Sequence, residues 1–194
     1  MNVIKNNIDE LAKYNYKYIK IMAGNKNSAN IFNSKIDKKK FIKLLTFFKK
    51  EYKDKEFNHL ISKNYYKNNV RLQVNEKYQQ RCFQMSLLDW DVLSTNIKTD
   101  YLIKFGERKM ISIENFPTIS KYDNEVMRES ISFNIKNKFY LNFTHDENDN
   151  KDKDNNNHTY NISLFITKKN GKTKYILQLI EQYLQLIDKL LQHN

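Results

Sequence analysis

Basic residues recur in stretches that read as β-strands: Lys20 in YKYIKIMAG, Arg71 in NNVRLQV, Lys104 and Arg108 in DYLIKFGERK, and Arg128 in NEVMRESISF. Side chains alternate between two faces of a strand, so the company each base keeps can be read off directly. Arg71 shares a face with Gln73, opposite Val70, Leu72 and Val74. Arg128 shares one with Ser130 and Ser132, opposite Ile131 and Phe133. Lys104 and Arg108 share a third face, which a regular strand extends to Ser112 and Glu114. Tyr18, Lys20 and Met22 oppose Ile19, Ile21 and Ala23. Guanidinium and ammonium groups set among hydroxyls and amides are suited to holding phosphate or carboxylate oxygens through charge-assisted hydrogen bonds. The same alternation arises in a half-exposed antiparallel sheet whose polar face meets water. It equally fits a closed barrel with a polar lumen and its apolar side turned outward against helices.

The rest of the polypeptide supplies the elements such faces need. Residues 3 to 13 form a short amphipathic helix on Val3, Ile4, Ile8, Leu11 and Ala12. Asp37 is placed as the N-cap of a helix running to about Tyr52, with Phe41, Leu44, Leu45, Phe48 and Tyr52 on one side. A lysine-rich loop then leads to the strand Val70–Val74. From about residue 98 a strand series comes next, through DYLIKFGERKMISI, MRESISF, KFYLNFT and YNISLFI. Each of the last two again has an apolar and a polar face, with Tyr140, Asn142 and Thr144 on one and Asn161, Ser163 and Phe165 on the other. The low-complexity segment 146–158, DENDNKDKDNNNH, reads as a disordered hairpin loop between two strands. The closing stretch KTKYILQLIEQYLQLIDKLL is a long amphipathic helix with one wide apolar face. The expectation is one domain over residues 1–194 of α+β class: an antiparallel, tunnel-like β-barrel with a polar, basic lumen, flanked by helices.

Composition bounds the function. The 194 residues carry 34 Lys and Arg against 22 Asp and Glu, a formal charge of +12. Only four of the 34 are arginine, and lysine and asparagine abound, which is the codon signature of an AT-rich genome such as that of a large DNA virus. The charge therefore has two sources, codon bias and affinity for a polyanion. The N-terminal residues lack an apolar leader and no run approaches a membrane span, so the expectation is an intracellular, cytoplasmic protein, of a viral factory or virion if the genome is viral. Cys82 stands alone and excludes an intrachain disulfide. It lacks an activating neighbour, so a buried, idle thiol is expected. His59, His145, His158 and His193 are scattered without ligand spacing and read as surface residues. Asp146, Asn148 and Asn150 imitate a calcium loop, but Lys151 stands at its glycine position and Asn157 at its bidentate glutamate, so no such site is expected. Trp90 reads as a core or interface anchor.

The order of these segments resembles the triphosphate tunnel family, specifically the RNA 5′-triphosphatase domains of viral and fungal mRNA capping. The resemblance rests on the YKYIKIMAG strand, on Ile36, Asp37 and Phe41 at the helix start, on Arg71 in NNVRLQV and on DYLIKFGERK. It continues through NEVMRESISF, FYLNFT, YNISLFI and the final helix. Residues 76–97 match nothing in it. The resemblance implies a barrel whose lumen binds a triphosphate, with Lys20, Arg71, Lys104, Arg108 and Arg128 as phosphate-binding candidates. In the family, two Glu-x-Glu strands hold a divalent metal against the γ-phosphate. This sequence has Tyr18 and Lys20 at the first, Asn161 and Ser163 at the second, and Asn142 for the aspartate of a third strand.

The sequence thus points to a catalytically degenerate tunnel protein that binds a triphosphate, an RNA 5′ end or another polyanion, without catalytic or metal-binding residues and without a cofactor. Its expected partners are capping or transcription subunits, and no membrane. Three alternatives stand beside it. One is a protein-interaction barrel with no small ligand. Another is an active triphosphatase using Mg²⁺ or Mn²⁺ through displaced ligands drawn from Glu107, Glu114, Glu125 and Glu129. The last is a basic α+β protein that coats nucleic acid.

Overall fold

The computed structural model describes residues 18–29, 31–52, 57–77, 79–94, 99–116, 122–136, 139–148, 158–167 and 173–192. The expected helix over 3–13 lies outside them. Nine strands and two helices are present among the described residues. They are β1 (Tyr18–Lys26), β2 (Phe32–Asn33), α1 (Lys38–Glu51), β3 (Phe57–Lys67), β4 (Val70–Asn75), β5 (Gln80–Ser94) and β6 (Asp100–Ile111), then β7 (Asn124–Lys136), β8 (Phe139–Asn148), β9 (His158–Thr167) and α2 (Thr173–Gln192). Eight strands run in the order β1-β6-β5-β4-β3-β7-β8-β9, and β9 returns to pair with β1, so the sheet closes on itself. Every pairing is antiparallel, and closure leaves no open edge in the ring. β2 pairs with the end of β1 beside the ring. Gly24 permits this approach, because a Cβ there would run into the Asn33 carbonyl and sit 2.6 Å from the Phe32 ring.

The apolar faces of the strands point outward. Ile19, Ile21, Ile103, Ile131, Phe133, Leu141, Phe143, Ile162, Leu164 and Ile166 are buried in one cluster with Phe41, Leu44 and Phe48 of α1 and Ile180, Leu184 and Ile187 of α2. The two helices thus cover one side of the barrel, each contributing buried side chains worth roughly 1.5–3 kcal/mol apiece. The carboxylate of Asp37 accepts from the backbone N–H of Lys39 at 2.9 Å and of Lys40 at 3.1 Å, which starts α1 where its sequence indicated. α2 is fixed by a polar contact within its apolar seat: the Tyr101 hydroxyl donates to Asp188 at 2.6 Å. A second, smaller cluster of Tyr65, Leu72, Cys82 and Phe116 lies on the outer face of β3, β4 and β5. Cys82 is buried and free, and burial pushes its thiol up, as an idle core cysteine requires.

Four readings of the sequence need correction. The lysine-rich stretch before Val70 contains an eleven-residue strand, β3, which joins β4 through a two-residue hairpin. Asn68 takes φ 51° there, a left-handed conformation that asparagine tolerates. Residues 76–97 contain β5, which completes the ring; Trp90 lies on it, opposite Lys104 in backbone register. The Trp90 side chain lies outside the described residues. The segment 146–158 is not wholly a loop, because β8 runs on through Asp146 to Asn148 and β9 begins at His158; residues 149–157 lie outside the described residues. β6 ends at Ile111, so Ser112 does not continue it and Glu114 sits exposed in a 3₁₀ turn.

Three of the histidines also meet other residues on the wall, and His193 lies outside the described residues. Register places His145 beside both Glu129 and Tyr160. His59 Nε2 lies 2.9 Å from Glu129 Oε1, and His145 Nε2 lies 3.0 Å from His158 Nδ1. The His145 ring stacks on Tyr160. These residues belong to different strands, so their meeting on the outer wall comes from pairing and not from spacing. No helix among the described residues is long and apolar enough to cross a membrane.

Candidate functional site: a basic barrel lumen

Residues directly opposite each other in an antiparallel pair share a face. Because Ile19 and Ile21 pack outward against the helices, Lys20 points inward, with Lys104 opposite on β6 and Phe165 opposite on β9. The same register carries the inward face around the ring. Phe165 faces Tyr140, Asn142 faces Ser163 and Ser132, and Thr144 faces Asn161 and Ser130. Arg128 meets Asp146 on one side and Ser62 on the other; Asn64 faces Gln73, and Tyr66 faces Arg71. Arg71 in turn faces Phe83. All five basic residues singled out in the sequence therefore share the inward face, brought there by β1, β4, β6 and β7; Lys20, Arg71, Lys104 and Arg128 are partly buried, and Arg108 is exposed at the mouth.

Their electrostatics show how crowded that face is. Burial lowers the Lys20 ammonium, with repulsion from Arg128 and Lys104 adding to it, to about 8. Arg71 and Arg108 are also lowered, in both cases chiefly by burial. Arg128 is the exception. Burial pulls it down, but the hydrogen bond and charge of Asp146, with help from Tyr66, outweigh that and hold it above the ordinary arginine value. Arg128 Nε–H donates to Asp146 Oδ1 and its second nitrogen to Oδ2, both at 2.7 Å, a bidentate fork. Asp146 belongs to a stretch that reads as a loop in the sequence, and only the register of β7 against β8 reveals it.

Among the described residues, Asp146 is the carboxylate that meets these cations. Asp100 lies on the same face at the far end of β6, where it accepts from the backbone N–H of Lys26 at 2.6 Å. The glutamates considered as displaced metal ligands lie elsewhere. Glu125 pairs with Lys63 and accepts from the Tyr122 hydroxyl; Glu129 pairs with His59. Glu107 lies on the face opposite Gly106 and Arg108, and Glu114 is outside the barrel strands. A hard divalent cation requires a shell of oxygen ligands, mostly carboxylates. At the positions where the resemblance would put them, Tyr18, Lys20, Asn142, Asn161 and Ser163 offer an ammonium and neutral groups. These residues do not fit such a cation. Among the described residues, no group of three or more His, Cys, Asp or Glu is placed to hold a metal.

The lumen also contains hydrogen-bonding capacity that the protein does not use. Ser62 Oγ accepts from Asn64 and from Gln73 at 3.1 Å each. Asn64 Oδ1, Arg71 Nε and Asn161 Oδ1 are buried with no partner among the described residues, and buried polar atoms of this kind call for water or a ligand. Toward one mouth the wall becomes aromatic: Tyr18 stacks on Phe165 with centroids 5.2 Å apart. Gly106 makes room for that ring, since a Cβ would sit 2.5 Å from the Tyr18 hydroxyl. At the other end a cleft of about 450 Å³ opens between residues 27–35 and the start of β9 at Thr159 and Asn161.

No protein-family model matches the sequence, and no curated protein does. Solved structures do match the fold. The Pct1 RNA triphosphatase of S. pombe superposes with a TM-score of 0.78 at 10% identity, covering 100% of this chain and 92% of that one. The same S. pombe protein in complex with the Spt5 CTD gives 0.77 at 11% identity, with coverage of 100% and 92%. The RNA triphosphatase domain of a trifunctional mimivirus mRNA capping enzyme gives 0.63 at 11% identity, covering 98% and 95%. The expected tunnel fold is therefore present over the whole length compared: this chain has the closed eight-stranded barrel of the RNA triphosphatases.

Proposed function

We propose that the barrel is a polyanion-binding tunnel that takes the triphosphate of an RNA 5′ end and holds it without hydrolysis, as a non-catalytic member of a capping or transcription assembly. One observation carries this reading. Among the described residues the inward face collects Lys20, Arg71, Lys104, Arg108 and Arg128, and the carboxylate set among them, Asp146, is already engaged by Arg128. Like charges enclosed together cost on the order of a kcal/mol each even when screened, and a bound triphosphate relieves that cost. Its oxygens would accept from Arg71 Nε, which has no partner among the described residues, and from the ammonium groups of Lys20 and Lys104. Hydrolysis in such a tunnel depends on a metal-polarised phosphate and an oriented water, and Tyr18, Lys20, Asn142, Asn161 and Ser163 are not ligands for such a metal.

A second reading, a protein-interaction subunit that keeps the barrel without a small ligand, draws support from the S. pombe RNA triphosphatase solved in complex with the Spt5 CTD. Thermal protection separates the two. Inorganic triphosphate at millimolar concentration should raise the melting temperature, and an Arg71→Ala plus Arg128→Ala double variant should lose the effect. No shift in the wild-type protein would overturn triphosphate binding and leave the assembly reading standing. Release of γ-phosphate on addition of Mn²⁺ would overturn the loss of catalysis. Retention on long RNA and short triphosphate alike, both lost at moderate salt, would instead indicate a nonspecific nucleic-acid coat.

A further inference from the structure

Five inward side chains form a continuous ring-and-cation column at the mouth where β1 begins. Tyr18 stacks on Phe165; the Arg108 guanidinium lies 5.7 Å from the Phe165 centroid and 5.0 Å from that of Phe83; the Arg71 guanidinium lies 5.0 Å from Phe83 again. The members come from β1, β9, β6, β5 and β4, so no local stretch of sequence makes this column. Phe83 and Tyr18 are buried, whereas Arg108 is exposed, and Met110, two residues further along the same strand, is 70% exposed. The column thus opens to solvent at one point, the planar cation held between two rings.

We propose that Phe83 and Phe165 form a nucleoside subsite, with the Arg108 guanidinium standing where the first base of a bound 5′-triphosphate end stacks. The inference rests on the triphosphate reading above and adds what that reading lacks, a reason to prefer a nucleotide over a bare phosphate chain. A guanidinium and a nucleobase are both flat and both stack on aromatic faces, so a slot that accepts one accepts the other. Arg108 has better use for its charge once phosphates arrive: it turns from the rings to the anion, and the base fills the space it leaves. Arg71 also lies against Phe83, so the phosphate-holding cations adjoin the base slot. Stacking on rings is tolerant of base identity, and the subsite would accept purines and pyrimidines alike, with the longer-lived contact for purines.

The test compares inorganic triphosphate with ATP and with a short 5′-triphosphate RNA by calorimetry at fixed ionic strength. The expected result is about ten- to hundredfold tighter binding of the two nucleotide ligands, as one base stack provides. Phe165→Leu should erase that preference while leaving inorganic triphosphate affinity within about twofold. Phe83→Leu serves as the second variant, and melting curves establish that each folds. A 2-aminopurine triphosphate should be quenched on binding to wild type and less so in either variant. Equal affinity for inorganic triphosphate and ATP in the wild-type protein would overturn the subsite and leave the triphosphate reading intact. Binding of none of the three would overturn both.

Discussion

Arg128 and Asp146 face each other across β7 and β8 and are joined by two hydrogen bonds of 2.7 Å. They are separated by eighteen positions in sequence, and Asp146 comes from a stretch with the composition of a loop. The pair sets the charge balance of the lumen, because the carboxylate placed among the five cations is taken up by one of them.

Asp146 therefore competes with an incoming anion. Asp146→Asn should tighten inorganic triphosphate binding by roughly tenfold, about 1.4 kcal/mol, by freeing Arg128. Weaker or unchanged affinity in calorimetric titration would show that the carboxylate does not stand in the ligand's place. Arg128→Ala should both weaken binding and lower stability by roughly 1–3 kcal/mol, since it leaves Asp146 mostly buried and unpaired.

Lys20 trades stability for charge. Its ammonium titrates at about 8 in the fold against 10.5 in an unfolded chain, so the unfolded state binds more protons between those values. The penalty is fully present below about pH 8 and is relieved as pH rises from there toward 10.5. Lys20→Met should raise the melting temperature at pH 7 by roughly 2–4 °C, the shift expected for about 1 kcal/mol in a chain of this size. That advantage should shrink between about pH 8 and 10, while triphosphate protection falls at neutral pH. A destabilised Lys20→Met protein would mean that the ammonium already has a partner in the lumen.

The metal question has a direct readout. Titration of Mn²⁺, followed by electron paramagnetic resonance, should show no site tighter than millimolar in the protein alone. A Tyr18→Glu, Lys20→Glu, Asn161→Glu, Ser163→Glu variant, placing four carboxylates on the inward faces of β1 and β9, should gain one. If this variant folds and still ignores Mn²⁺, the inward assignment of those four positions fails.

The C-terminal helix is held by Tyr101 as well as by its apolar face. The Asp188 carboxyl is raised by burial and lowered partly back by hydrogen bonds from Tyr101 and Thr99. Tyr101→Phe removes one donor from a buried acid and should cost roughly 1–3 kcal/mol. Because the lost bond favours the ionised form, Asp188 rises further, and the destabilisation should be larger at about pH 7 than at about pH 4 in urea denaturation.

Much of this protein was legible residue by residue. Alternation assigned Ile19 and Ile21 to one side of β1 and Lys20 to the other, Asp37 marked the start of α1, and the spacing of Ile180, Leu184 and Ile187 produced the buried face of α2. Arg71, Arg108 and Arg128 were visible because arginine is scarce in this composition, and Lys20 and Lys104 because each alternates with apolar residues along its strand. β3 was hidden by its content: in FNHLISKNYYK the strand-favouring Phe57, Ile61, Tyr65 and Tyr66 are interleaved with Asn58, Lys63, Asn64 and Lys67, and its place between β4 and β7 overrides those. β5 was hidden because no motif of the resemblance could be placed on residues 76–97, although the ring cannot close without it.

For the strands it revealed, sequence alone determined which face would be buried, because side-chain alternation is a property of the extended backbone and needs no partner. It also determined that the lumen would lack carboxylates at Tyr18, Lys20, Asn161 and Ser163. Only the tertiary structure decided which residues would meet. The Arg128–Asp146 fork, the His59–Glu129 and His145–His158 contacts on the outer wall, and the column from Tyr18 to Arg71 all join different strands. Those meetings depend on register and closure, which are set by the summed packing of the whole barrel.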